Sequence, residues 1–174
     1  MRATVICESP FGNTHAIAEA IAEGLDAEVL SVDDPIDLDE TELLVVGAPT
    51  HVHGLPSRRS RQAAVDQGAK GVDPEHGVRD WLEELPRAEG CLAAAFDTRF
   101  DKPGWLTGSA AKEIAKRLRH HGFELAVPPE SFYILGTEGP LKDGELERAA
   151  AWAESLSRAT ARSSRPLAGT AQRA

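Results

Sequence analysis

Five short apolar runs, separated by amphipathic stretches, set the main constraint on how this chain can fold. Most of the runs are apolar at consecutive positions rather than at alternate ones, which is typical of strands buried on both faces of a parallel sheet. Successive parallel strands need crossover connections, and helices usually supply them. The sequence therefore predicts an α/β sandwich around a parallel sheet. The predicted strands are Ala3–Cys7, Glu28–Val32, Leu43–Ala48, Cys91–Phe96 and Ser131–Leu135.

The stretches between the strands carry helical signals. Apolar residues recur at the spacing i, i+3, i+4, i+7, for example at Ile17, Ala20, Ile21 and Gly24, and this spacing forms one helix face. The predicted helices are Thr14–Leu25, Arg58–Gln67, Val78–Leu85, Ser109–His121 and Asp143–Ser157. The domain is expected to span residues 1–157. Residues 158–174 contain four arginines, no acid and no apolar periodicity, so we expect a disordered basic tail or a tether for a partner.

Composition narrows the class of protein. The chain has 174 residues, the length of one domain, and its 19 Lys+Arg and 28 Asp+Glu give a net charge of −9. Such a charge argues against nucleic-acid or anionic-membrane partners, since its field repels phosphate. The chain has no run of 18 apolar residues and begins without a signal-peptide pattern. We therefore expect a cytoplasmic protein, whose two cysteines are core residues too far apart for a disulfide.

The loop after the first strand carries the strongest functional signal. Its sequence, Ser9-Pro10-Phe11-Gly12-Asn13-Thr14, leads directly into the first helix. Backbone N–H groups and hydroxyls at a helix N-terminus form a phosphate site. The patterns of the P-loop and of the dinucleotide-binding loop are both absent. No Lys or Arg lies near the loop in sequence, so we expect a phosphate monoester held without a cation; the alternative is a plain capped turn.

The segment Ser9-x-x-Gly12-Asn13-Thr14, in this strand–loop–helix context, resembles the FMN-phosphate loop of the flavodoxin family. Glu8 and Phe11 make the loop similar to flavodoxin-domain proteins near the quinone-reductase and protoporphyrinogen-oxidase branches. The resemblance covers residues 1 to about 157. It implies a three-layer sandwich with a five-stranded parallel sheet of order 2-1-3-4-5, and FMN as the cofactor.

The resemblance also implies which residues of the first loop bind FMN. The implied phosphate-binding residues are Ser9, Phe11, Gly12, Asn13 and Thr14. The family often has Thr where Pro10 and Phe11 stand, so one amide donor and up to two hydroxyls are missing here.

The loop after the third strand, residues 47–56, must face the first loop in this strand order. The resemblance implies that Pro49, Thr50, His51, His53 and Gly54 line the flavin ring, with the His53–Gly54 peptide as the candidate contact to N5. A glycine at that place lets a peptide flip as the ring gains a proton. Two alternatives stay open: a metal-binding pair, His51-x-His53, and a plain solvated loop.

The loop after the fourth strand resembles the other flavin-flanking loop of the family. The implied contacts are Asp97, Thr98, Arg99, Phe100 and Trp105. Arg99 is the candidate for a cation beside N1–C2=O of the flavin, and Phe100 or Trp105 for a stacking ring. In the alternative, Arg99 pairs with an aspartate and Trp105 packs under the loop.

Together these features predict an FMN-binding redox protein. The protein is either an electron carrier or a small oxidoreductase that uses NAD(P)H or a quinone, and its partner is a redox protein or a small electron donor or acceptor. FMN supplies the chemistry, so we expect no catalytic acid or base. The alternative is a cofactor-free interaction or regulatory module. Arg58, Arg59 and Arg61 are expected on a solvated helix face, or as a dock for the phosphate of a pyridine nucleotide or for an acidic redox partner.

Overall fold

Six parallel strands form a single sheet in a computed structural model that describes residues 1–51 and 53–163. The sheet order is β2-β1-β3-β4-β5, and β6 also pairs with β4. The predicted order 2-1-3-4-5 is therefore confirmed, with a sixth strand added. The strands are β1 Ala3–Cys7, β2 Glu28–Leu30, β3 Leu43–Pro49, β4 Leu92–Phe100, β5 Glu124–Leu125 and β6 Glu130–Ile134.

The last position of the sheet is shared by β5 and β6, which pair with successive parts of β4. Pro128 and Pro129 lie between the two strands, and proline has no N–H to continue the ladder. The pairing with β6 extends β4 to Phe100, four residues beyond the predicted end. Residues 97–100 are therefore strand rather than loop, and this gives their side chains fixed directions.

Helices cover both faces of the sheet, which confirms the three-layer sandwich. One face packs against α1 and α6, and the other packs against α3 and α5. Gly24 brings α1 close to α6, since a Cβ at this position would lie 2.7 Å from the Cβ of Ala153. The helices are α1 Asn13–Leu25, α2 Arg58–Asp66, α3 Val78–Glu84, α4 Gly104–Thr107, α5 Ala110–His120 and α6 Glu145–Ser163.

The helix α6 ends at Ser163, so residues 158–163, which the sequence analysis assigns to the tail, are helical. Thr160 is buried on this extension. The remaining part of the predicted tail, 164–174, lies outside the described residues. No helix in the described part of the chain is both long and apolar enough to cross a membrane.

Both cysteines are free thiols, as expected. Cys7 is buried at the end of β1, and burial together with the nearby carboxylates of Glu19 and Glu8 raises the pKa of its thiol to about 12. The thiolate is the reactive form of cysteine, so Cys7 is a core residue rather than a nucleophile.

A substitution at Gly47 in β3 tests how tightly the core is packed. It lies opposite Phe96 in β4, and a Cβ at this position would lie 2.1 Å from a carbon of the Phe96 ring. Phe96 is fully buried and packs edge-on against Phe132 and Trp152, so its ring has little room to move. We expect Gly47→Ala to lower the free energy of unfolding by about 1–3 kcal/mol, measured by urea denaturation. Gly104→Ala is the matched control, because a Cβ there meets no atom within 4 Å; equal stability of the two variants would contradict the prediction.

Candidate functional site

A cavity of about 300 Å³ opens at the carboxyl ends of β1, β3 and β4. This is the edge at which open parallel sheets bind ligands. The three loops singled out in the sequence meet around it, together with residues of α2 and the segment after β6.

Most of the predicted site residues line this cavity. They are Ser9, Phe11, Asn13, Thr14, Pro49, Thr50, His51, His53, Thr98, Arg99 and Phe100. Four predicted residues are not part of the lining: Gly12, Gly54, Asp97 and Trp105. The sequence analysis did not identify several others that are, namely Pro10, Pro56, Ser60, Arg61, Ala64, Leu106, Thr107, Ile134 and Thr137.

The loop before α1 uses its side chains to hold its own shape. Gly12 has φ +87°, a left-handed conformation that favours glycine. Ser9 Oγ accepts a hydrogen bond from the His15 N–H at 3.0 Å, and Asn13 Nδ2 donates to the Thr137 carbonyl at 2.9 Å. The Thr14 hydroxyl lies 2.8 Å from that of Thr98. The first-turn amides of Asn13 and Thr14 have no acceptor within the helix, so they are the donors left for an anion.

Asp97 lies beneath the cavity and ties three parts of the site together. Its side chain is fully buried, and Oδ2 accepts hydrogen bonds from Thr50 Oγ1, Ser109 Oγ and the Ala111 N–H at 2.9, 2.6 and 2.9 Å. Thr50 Oγ1 in turn accepts from the Ala110 N–H at 2.8 Å. The carboxylate lies at the positive N-terminal end of α5. Asp97 is thus a positioning residue rather than a lining residue.

Arg99 is held at the wall of the cavity by two hydrogen bonds. Nη1 donates to the Lys102 carbonyl and to Thr107 Oγ1, both at 2.8 Å, and the guanidinium lies over the ring of Tyr133. Nε lies 3.9 Å from Asp97 Oδ1. Both of these buried atoms lack a hydrogen-bond partner among the described residues. The sequence analysis gave pairing of Arg99 with an aspartate as an alternative to flavin binding. The structure shows that pairing only as the 3.9 Å contact with Asp97.

His51 and Gly54 are joined by two backbone hydrogen bonds next to the cavity. His51 N–H donates to the Gly54 carbonyl at 2.9 Å, and Gly54 N–H donates to the His51 carbonyl at 3.2 Å. His53 has φ +74°, which is uncommon for a residue with a side chain. Its carbonyl packs against Gly108, where a Cβ would lie only 2.0 Å from the oxygen. A flip of the His53–Gly54 peptide, as the resemblance implies, therefore requires breaking the hydrogen bond from Gly54 N–H to the His51 carbonyl and moving the His53 carbonyl off Gly108.

The aromatic residues of the third loop lie at the rim. Trp105 on α4 is 84% exposed and does not line the cavity. The alternative prediction, in which Trp105 packs under the loop, is therefore wrong as well. Leu106 and Phe100 line the cavity and are partly exposed, and the neighbouring Leu135 is also exposed. Trp105 and Leu135 adjoin the lining residues Leu106 and Ile134 in sequence, and we refer to the four exposed side chains Phe100, Trp105, Leu106 and Leu135 as the apolar rim.

Arg61 corrects two expectations. It is buried rather than solvated, with a side chain only 1% exposed, and it lines the cavity. A cation therefore lies close to the first loop in space although none lies close in sequence. Its Nε and Nη1 donate to the carbonyls of Pro74 and Pro56, and Nη2 pairs with Asp80 at 2.5 Å.

Glu8 is buried next to this arginine at the end of β1. Its Oε2 accepts a hydrogen bond from the Val78 N–H at 3.0 Å, and its Oε1 has no partner among the described residues. Burial raises the pKa of Glu8, and the Val78 N–H and the charge of Arg61 offset part of that effect. A Cβ at Gly77 would lie 2.6 Å from Glu8 Oε2 and 2.8 Å from Arg61 Nη1, so the two side chains converge there.

The structure groups no three His, Cys, Asp or Glu side chains around a possible metal ion within residues 1–51 and 53–163. His51 and His53 both reach the cavity, but a third ligand is not placed with them in that part of the chain. The described residues therefore do not support the metal alternative.

Comparisons with known proteins agree with the fold. No family model and no curated protein matches the sequence. A flavodoxin from the domain Archaea matches with a TM-score of 0.63 at 23% identity, covering 92% of this chain and 99% of its own. Flavodoxin 2 from Bacillus cereus has a TM-score of 0.63 at 18% identity, with 91% and 99% covered. A WrbA-like flavodoxin from Agrobacterium tumefaciens has a TM-score of 0.60 at 18% identity, with 92% and 98% covered. The chain has the flavodoxin-like α/β fold that the resemblance implies.

The buried carboxyl of Glu8 predicts a pH dependence of stability. Since its folded-state pKa is raised, protonated Glu8 stabilises the fold fully below its ordinary pKa, and this contribution is lost as pH rises through the raised value. We expect the unfolding free energy of Glu8→Gln, relative to the wild type, to increase as the pH rises above the ordinary pKa of a glutamate, measured by urea denaturation. Glu23→Gln, at an exposed position on α1, is the control. A difference that stays constant with pH would show that Glu8 ionises as freely in the folded protein as in the unfolded chain.

Proposed function

We propose that this protein binds FMN at the cavity and acts as a redox protein, either as an electron carrier or as a small flavin-dependent oxidoreductase. The proposal rests mainly on one observation: the loops after β1, β3 and β4 surround a single cavity beside the N-terminus of α1. The flavodoxin-like fold and the low-identity likeness to flavodoxins support it.

The donor set suits the phosphate end of FMN. The loop 9–14 presents first-turn amides of α1 with the positive end of the helix dipole, while its side chains are occupied in fixing the backbone. Arg61 adds a cation to the lining. Its Nε, Nη1 and Nη2 all bond to protein groups, so it supplies positive charge rather than a free donor.

The rest of the cavity suits a planar ring with polar edges. Pro49, Phe100 and Leu106 supply apolar wall, and Thr50 and Arg99 supply polar groups with fixed positions. Asp97 holds Thr50 and the start of α5 in place. FMN supplies reversible one- and two-electron chemistry when bound, so the role of these residues is to bind it, orient it and exclude water.

We place the encounter with an electron donor or acceptor at the apolar rim, which consists of Phe100, Trp105, Leu106 and Leu135. Exposed apolar patches of this kind mark interaction sites more often than the rest of a surface. Electrons can enter and leave at this edge without a second nucleotide site in the protein.

A cofactor-free module is the second candidate, and one observation favours it. The hydroxyls of Ser9 and Thr14 already bond to other protein groups, and Pro10 has no N–H, so fewer donors remain than the loop pattern alone implies. Titration of the purified protein with FMN separates the two candidates. Quenching of the flavin fluorescence with one FMN per chain supports the proposal; unquenched flavin and a colourless protein would overturn it.

The substitution Ser9→Asp tests the phosphate end directly. An aspartate can accept the same His15 N–H and is compatible with the helix dipole, but its charge repels the phosphate. We expect FMN affinity to fall by about tenfold or more, about 1.4 kcal/mol, with thermal stability unchanged. Riboflavin, which lacks the phosphate, is the matched control ligand, and its affinity should be the same for both proteins. An equal loss for the two ligands would place the phosphate elsewhere.

A further inference from the structure

The buried carboxyl of Glu8 adjoins the loop that is proposed to bind the phosphate. Glu8 directly precedes Ser9, which lines the cavity, and its backbone N–H donates to the Gly47 carbonyl at 3.1 Å. The residue is only 7% exposed and is not part of the cavity lining. A charge on Glu8 therefore acts on the contents of the cavity through protein rather than through water, and water would screen it far more strongly.

The surroundings of Glu8 suit a neutral carboxyl better than an ionised one. Oε2 accepts one hydrogen bond, from the Val78 N–H at 3.0 Å, and the buried Oε1 has no partner among the described residues. A buried carboxylate needs donors on both oxygens to replace its hydration, whereas a protonated carboxyl needs fewer. Burial accordingly raises the pKa of Glu8 above its ordinary value. The side chain can thus gain a proton at a pH at which an exposed glutamate stays ionised.

The charged and titratable groups that face Glu8 come from three elements. Arg61 on α2 and Arg79 on α3 lower the pKa of Glu8, and Asp80 on α3 raises it. The thiol of Cys7 on β1 stays neutral, because its own pKa is raised to about 12. The protonation state of Glu8 therefore depends on the balance between these fixed charges and any charge that a ligand adds.

Both arginines already have acidic partners. Arg61 pairs with Asp80 at 2.5 Å, and Arg79 pairs with Glu113 at 3.0 Å. An ionised Glu8 is therefore an additional negative charge, and it lies close to Arg61, the cation that lines the cavity beside the first loop. A neutral Glu8 leaves the positive charge of Arg61 more effective toward an anion in the cavity.

We propose that the protein takes up a proton at Glu8 when it binds the phosphate of FMN, so that FMN binding is coupled to pH through a residue that does not touch the ligand. This inference rests on the proposed binding of FMN. A bound phosphate adds negative charge to the same cavity, and repulsion in the protein interior favours the neutral form of a nearby carboxyl. The proton comes from solvent and converts the carboxylate into the carboxylic acid. Glu8 is a positioning residue in this scheme, since it acts through Arg61 and the first loop.

The pH dependence of FMN affinity tests the coupling. Glu8→Gln is neutral at every pH and stands for the protonated form. At low pH we expect the wild type and this variant to bind FMN equally. As the pH rises above the ordinary pKa of a glutamate, the wild type should become weaker than the variant by about tenfold, measured by quenching of flavin fluorescence. Titration of the phosphate itself affects both proteins alike and cancels in the ratio of their affinities.

Two controls accompany this measurement. Glu23→Gln removes one carboxylate at an exposed position on α1 and should follow the wild type. Riboflavin lacks the phosphate, so its affinity ratio between the wild type and Glu8→Gln should not change with pH. A ratio for FMN that stays constant with pH would overturn the inference. The same change of the ratio for riboflavin would also overturn it, because the coupling would then not depend on the phosphate.

Infrared spectroscopy of the wild type gives a check that needs no variant. In protein with ¹³C-labelled glutamate carboxyls, the carboxylic-acid band locates the pH at which Glu8 ionises, and FMN should move this ionisation to higher pH. Protonation of His51 or His53, which also line the cavity, produces no such band. An ionisation that stays at the same pH with and without FMN would overturn the inference. Failure of the wild type to bind FMN would instead refute the proposed function, and this inference with it.

Discussion

The buried carboxylate of Asp97 is the interaction on which the architecture of the site depends. A charge taken out of water is costly unless hydrogen bonds replace its hydration, and here the replacements come from Thr50, Ser109 and Ala111. These partners belong to two separate segments of chain, the end of β3 and the start of α5. Satisfying one buried charge therefore fixes the relative positions of segments that are distant in sequence, and one of them, the end of β3, lines the cavity.

Much of the fold follows from periodicity that is visible in the sequence. The run Leu43–Ala48 is buried throughout, as expected for a central strand with helices on both sides. Once the strand order is known, the loops after β1, β3 and β4 must meet at one edge. The prediction that residues as far apart as Ser9, His51 and Arg99 share one site rests on that topology, and the structure brings all three to the same cavity.

The features that the sequence did not show depend on distant partners. Arg61 looked like a surface cation because its neighbours are Arg58 and Arg59, but Asp80 and the carbonyl oxygens of Pro56 and Pro74 satisfy it in the interior. The extension of β4 to Phe100 requires pairing with β6, and propensity within residues 97–100 carries no sign of it. Local patterns report which residues prefer to be buried, whereas the pairing of a buried charge is decided by the tertiary structure.

The contact between His53 and Gly108 has a consequence for how this site can change in evolution or by design. Any side chain at position 108 would collide with the backbone of His53, which is itself in a left-handed conformation. The backbone at His53 and the segment before α5 therefore constrain each other, and neither can be exchanged for the corresponding part of a relative on its own. Substitutions at these two positions should be strongly non-additive, so this part of the site can change mainly through paired substitutions.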